Sequence, residues 1–133
     1  MNDADRSLLR ELRNALLHLH KTLIDWQRAE YELDHGPMPA TQLLQVIFND
    51  TAFAWLRPMS GLIVAIDEAL AAKLPESAPV SPLIAQARDL AAPVAGTPYS
   101  ERYQAALQEV PDAVLAHRDL VTLLKLQNPS TGP

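Results

Sequence analysis

Two polar side chains stand where a helical core stripe calls for apolar ones, and both carry groups able to do acid–base or ligand chemistry: Glu30 and His117. Leu9, Leu12, Leu16, Leu19, Leu23, Trp26, Glu30 and Leu33 succeed one another at alternating steps of three and four. That spacing marks one face of an amphipathic helix laid along its neighbours. Later in the chain, Tyr103, Leu107, Val110, Val114, Val121 and Leu124 surround His117 when that segment is projected at roughly 100° per residue. A carboxylate buried alone carries a heavy desolvation cost, so Glu30 needs a donor or an opening to solvent. If the two helices are neighbours, Glu30 and His117 meet as a hydrogen-bonded pair or as the heart of a small-molecule or metal pocket. Helical bundles build such pockets from facing helices. Asp34, one turn beyond Glu30, and His20, at the border of the same face, complete the candidate ligand-binding set.

Metal chemistry meets a narrower test. Di-iron bundles repeat Glu-x-x-His on two helices. Glu32-Leu33-Asp34-His35 is the single instance here, and it ends against Gly36 with Glu32 turned off the stripe. His18 and His20 lie about 200° apart on a helix and cannot share an ion. The chain has no cysteine, which excludes disulfides, thiolate nucleophiles and Cys-ligated zinc. No metal ligand and no cofactor is therefore assigned. Four glycines make no phosphate loop, Ser60-Gly61 follows a proline rather than forming a nucleophile elbow, and Arg10, Arg13 and Arg28 project to the solvent side. No catalytic residue is assigned, and the balance leans against an enzyme.

The elements that position these groups read as helices throughout. The first runs from residue 4 to 35, about 48 Å at 1.5 Å per residue. Asp3 or Asp5 is its expected cap, and His35-Gly36-Pro37 its stop. A second apolar strip, Leu17, Ile24 and Tyr31, flanks the stripe at steps of seven and suits a neighbouring subunit. A short helix over Pro39 to Phe48 precedes turn chemistry at Asn49-Asp50-Thr51. A third helix then carries Phe53, Trp55 and Leu56 into Pro58, where it must kink or restart, and continues as the stripe Met59, Leu62, Ile63, Ile66, Ala69, Leu70, Leu74. Pro75 to Pro82 reads as a surface connection. Ser81-Pro82 starts a short fourth helix ended by Pro93, and Thr97-Pro98 starts a long fifth one interrupted by Pro111. No segment alternates as a strand would. The expected fold is all-α: an up-and-down helical bundle of three long helices, two of them proline-kinked, plus two short ones. Residues 1–127 form its single domain and 128–133 a flexible tail.

The bulk numbers narrow the partners. Eleven basic against sixteen acidic residues give a net charge of −5, and neither sign is clustered. Nothing collects nucleic-acid phosphate, so nucleic-acid binding is not expected. The longest apolar run, Leu62 to Ile66, is far short of a membrane span. The N-terminus shows no secretory pattern, and a cytoplasmic location is the expectation. Trp55 and Arg57, types that dominate binding hot spots, sit together before Pro58 and join Leu17, Ile24 and Tyr31 as candidate partner-binding residues.

The stretches Asn49-Asp50-Thr51-Ala52-Phe53-Ala54-Trp55-Leu56-Arg57-Pro58 and Leu17-His18-Leu19-His20-Lys21 resemble small, uncharacterised bacterial all-helical proteins. The resemblance implies a bacterial, cytosolic protein and brings no functional residue with it. The leading expectation is therefore a protein that works by association, as a homodimer or with a partner. The alternative is a small-molecule or metal-binding bundle around Glu30 and His117.

Overall fold

The computed structural model describes residues 1–72 and 79–126. Among the described residues the chain is all-α, with no strand. Helix α1 spans Asp3–His35 and α2 Ala40–Asn49; a 3-10 segment, Thr51–Leu56, leads into α3, Arg57–Ala71. Then come α4, Ser81–Ala91, α5, Pro98–Glu109, and α6, Pro111–Leu126. None of these helices is long and apolar enough to cross a membrane. Leu74, residues 75–78 of the expected Pro75–Pro82 connection and the C-terminal tail lie outside the described residues.

Helix α1 begins one residue earlier than its carboxylates suggested. Asn2, rather than Asp3 or Asp5, is the cap. Its side chain accepts from the Asp5 amide at 2.8 Å, while the Asp5 carboxylate accepts from the Asn2 amide at 3.2 Å. Two orphan donors are satisfied reciprocally. At the far end Gly36 takes φ +79°, a conformation that favours glycine, and its amide closes on the Glu32 carbonyl at 2.8 Å.

Proline breaks the later helices more completely than a kink would. The expected kinked third helix is a 3-10 segment followed by a separate α-helix with Pro58 in its first turn, where the missing N–H costs nothing. The expected long fifth helix is likewise two helices. Val110 is extended (φ −119°, ψ 107°) because the residue before a proline is pushed out of the helical region. Asp50 caps the 3-10 segment, accepting from the Ala52 amide at 2.8 Å. Asp50→Ala is expected to cost about 1 kcal/mol of stability, read as a lower midpoint in urea unfolding with unchanged slope.

Helix α1 packs against α3 and α6, α3 against α4, α4 against α6, and α5 against α6 and the 3-10 segment. Leu9, Leu12, Leu16, Leu19 and Leu23 are fully buried in the shared core. Beyond Leu23 the expected stripe departs: Gln27 is the next buried residue, Trp26 is half-buried and Leu33 is 86% exposed. Steps of three and four average 3.5 residues whereas the helix turns every 3.6, so the face drifts about 20° per heptad and carries Trp26 and Leu33 away from it.

A polar seam runs beside this stripe. Arg6 donates to the carbonyls of Leu70 (3.1 Å) and Ala72 (3.3 Å), and Arg13 pairs with Asp67. Farther along, His20 Nε2 lies 2.6 Å from the Ser60 hydroxyl, and Gln27 accepts from the Trp55 indole at 2.8 Å. The α1 members are seven residues apart and their partners run backwards along α3 into the 3-10 segment, so α1 and α3 are antiparallel. Past Gln27, α1 outruns α3, and that overhang is where Glu30 lies.

Candidate functional site: an aromatic cleft beside Arg102

Six of the chain's seven aromatic residues gather at the overhanging end of α1. Trp26 meets Trp55 edge-on, with ring centroids 6.2 Å apart, and Trp55 meets Tyr99 at 6.0 Å. Tyr99 stacks on Tyr103 at 5.4 Å, while Tyr31 lies 5.9 Å from Phe53. The rings come two each from three pieces of chain: α1, the 3-10 segment and α5. The tight 3-10 turn and the break at Val110 are what let these pieces converge.

Arg102 is the charge placed among the rings. Its guanidinium lies 4.2 Å from the centroid of Trp26 and 5.8 Å from that of Trp55, within cation–π range. Its Nη2 donates to the Glu30 carboxylate and, at 2.9 Å, to Gln27 Oε1. The same Gln27 oxygen accepts from the Trp55 indole, and two donors converging on one atom assign the amide orientation. Fully buried side-chain nitrogens and oxygens all have partners among the described residues. The Gln27 NH2 group has none there, so it opens outward, as do Arg102 Nε and Nη1. Gln27 and Arg102 line a cleft of about 450 Å³ together with Trp55, Tyr99, Pro98 and Ala54. A second cleft of about 310 Å³ adjoins it across Gln27 and Ala52, lined by Glu30, Tyr31, Asp34 and His35.

The sequence-derived candidates fall into three groups. Glu30 and Asp34 line the second cleft, with Asp34 exposed and Glu30 held by Arg102. His117 is bound instead by Tyr103, whose hydroxyl lies 2.7 Å from Nδ1; no hydrogen bond or ion pair joins it to Glu30 among the described residues. His20 belongs to the polar seam, on Ser60. Of the partner-binding candidates, Ile24 and Tyr31 pack against the core and Leu17 is 37% exposed. Trp55 is buried in the cleft wall, and Arg57 is exposed and donates to the Phe48 carbonyl at 2.8 Å. No group of three or more His, Asp or Glu among the described residues is placed to hold a metal ion. His35 stacks on Tyr31 with ring centroids 4.0 Å apart.

Sequence reasoning missed Arg102. The available signal was Arg102 and Tyr103, three and four residues after Tyr99 and so beside it on one helical face.

Burial holds the Tyr99 and Tyr103 phenols well above their ordinary range, and Tyr103 reinforces the effect on Tyr99; both act as neutral donors and acceptors. Burial lowers the pKa of His20 and His117 from 6.5. Below pH 6.5 the unfolded chain therefore takes up protons that these histidines refuse while folded, and stability falls with pH until their folded-state pKa is reached. The slope is at most about 1.4 kcal/mol per pH unit for each histidine. A His20→Asn/His117→Asn double variant is expected to flatten that part of the curve in thermal melts taken from pH 7.5 to 5.

Fold and geometry thus define a class: an all-α protein carrying an aromatic, donor-lined cleft at one end. Comparison of the chain with protein-family models, with curated proteins and with solved structures gives no match to narrow that class further.

Proposed function

We propose that the chain is a small-molecule-binding helical protein whose site is the cleft between α1, the 3-10 segment and α5. The observation that carries this reading is a cleft lined by Trp55 and Tyr99 together with Gln27 and Arg102, whose Gln27 Nε2 and Arg102 Nε and Nη1 donors have no partner among the described residues. A few convergent polar groups in an otherwise apolar concavity of roughly 300–1,000 Å³ is the usual composition of a ligand site. Relative to the expectation centred on Glu30 and His117, the pocket moves toward Arg102; Glu30 stays as its charge partner and His117 supports the wall through Tyr103. The frame is read as an up-and-down bundle of α1, α3, α4 and α6, supported by the antiparallel seam between α1 and α3.

Titration with anilinonaphthalene sulfonate tests the reading. Of the chain's two tryptophans, Trp55 lines the cleft and Trp26 packs behind it, against Trp55 and the Arg102 guanidinium. Saturable energy transfer from them to one dye per chain, lost in Ala54→Phe with helical circular dichroism intact, is expected. A response that rises linearly with dye would overturn it.

A second reading, association between two copies, rests on α2. No residue of this helix is buried; Leu44 and Phe48, one turn apart, are 65% and 67% exposed. The helix carries no ionisable side chain, so two copies can meet there about a two-fold axis without like-charge repulsion. Sedimentation showing a monomer unchanged by Phe48→Asp at high micromolar concentration would remove this reading.

A further inference from the structure

We infer that the cleft beside Arg102 takes an aromatic carboxylic acid, its carboxylate on the donors of Arg102 and Gln27 and its ring against Trp55 and Tyr99. The inference rests on the cleft being a ligand site and concerns what that site selects. Gln27 and Arg102 both line the cleft, and their unpartnered polar atoms are donors. Gln27 has committed its oxygen to Trp55 and Arg102, and Arg102 has committed only Nη2. The Tyr99 hydroxyl is turned away, donating to the Leu90 carbonyl at 2.7 Å. An incoming group must therefore bring acceptors; because both two-donor edges of a guanidinium include the committed Nη2, a carboxylate sets one oxygen on a free Arg102 N–H and the other on the Gln27 amide.

The surrounding acids do not reverse this preference. Glu30 is held by Arg102, and Glu109 accepts from the Trp26 indole at 3.1 Å. Asp34 is exposed in the adjoining cleft, where solvent and salt screen it, beside His35, which is hydrogen-bonded to Tyr31. The Trp55 and Tyr99 rings, tilted 50° to each other, form an angled wall against which a flat ring stacks. The resulting ligand is planar, carries one acidic group at its edge, and has one or two rings to suit the cleft volume.

Tryptophan fluorescence with three isosteric probes tests this: 2-naphthoate, 2-naphthamide and 2-naphthylmethylammonium. The expected result is saturable quenching by 2-naphthoate, at least tenfold tighter than by the amide or the cation. Arg102→Gln, shown folded by circular dichroism, should bring the acid down to the level of the amide. If the amide or the cation binds as tightly as the acid, the inferred class is overturned while the cleft stands as a ligand site. If the acid keeps its advantage in Arg102→Gln, the carboxylate lies elsewhere and the inferred pose is overturned. If none of the three quenches at millimolar concentration, or if Ala54→Phe leaves quenching unchanged, both the class and the ligand-site reading fail.

Discussion

Trp55→Ala is expected to cost about 3–5 kcal/mol, as large aromatic truncations in a packed interior do. Against a typical total of roughly 5–15 kcal/mol, that is a large part of the margin holding such a domain folded. Burial accounts for most of it, since the indole is almost fully enclosed and touches Trp26 and Tyr99. The rest comes from position: the indole N–H fixes Gln27, and Gln27 in turn receives Arg102. Trp55→Phe keeps the ring and loses the donor, so a smaller loss of about 1–2 kcal/mol is expected there. Urea unfolding of the two variants checks both values. A Trp55→Ala protein within about 1 kcal/mol of the parent would mean that the cleft end is not packed as described.

Leu19→Ala is the second large effect, at about 3 kcal/mol, because its side chain is fully buried in the middle of α1 and leaves a cavity that the rigid neighbours cannot close. Leu33→Ala, a member of the same sequence stripe, is expected to stay within about 0.5 kcal/mol, since that leucine is exposed. The contrast tests the drift of the stripe. Equal losses at the two positions would mean that the apolar face runs straight to the end of the helix.

These two leucines also mark how far the sequence was readable. Helix identity followed from periodicity, and the starts at Ser81-Pro82 and Thr97-Pro98 were placed to within a residue by local chemistry that tertiary contacts do not alter. The overhang of α1 was not readable, because it depends on where α3 begins, which is set by the 3-10 turn ahead of it. Pro58 and Pro111 announced breaks, yet a kinked helix and two separate helices give the same pattern of apolar residues. Whether the chain closes its turn before the proline is decided by packing of Phe53 and Leu56, not by local preference.

The candidate site was half legible for the same reason. Glu30 stood out as a charge on a core face, and the need for a donor followed from physics. Which donor answered it was a question of topology. The helix carrying His117 was projected as continuous, whereas the break at Val110 swings α5 across the end of α1 and delivers Arg102 to Glu30, leaving His117 to Tyr103. A long-range pairing of this kind leaves no trace in spacing along one helix.

The seam between α1 and α3 has a further consequence, for the alignment of the bundle. A stripe of leucines repeating every seven residues is nearly indifferent to sliding by one repeat, because each leucine lands where another stood. The seam is not. Its four levels join a guanidinium to carbonyls, a guanidinium to a carboxylate, an imidazole to a hydroxyl and an amide to an indole. The two arginine levels could exchange partners, but the imidazole and amide levels do not accept each other's on equal terms, so a slide of about 10.5 Å, seven residues at 1.5 Å each, is resisted there. The leucines supply the adhesion and the seam acts as a vernier, and the overhang that opens the cleft is the length left over once the scale has locked.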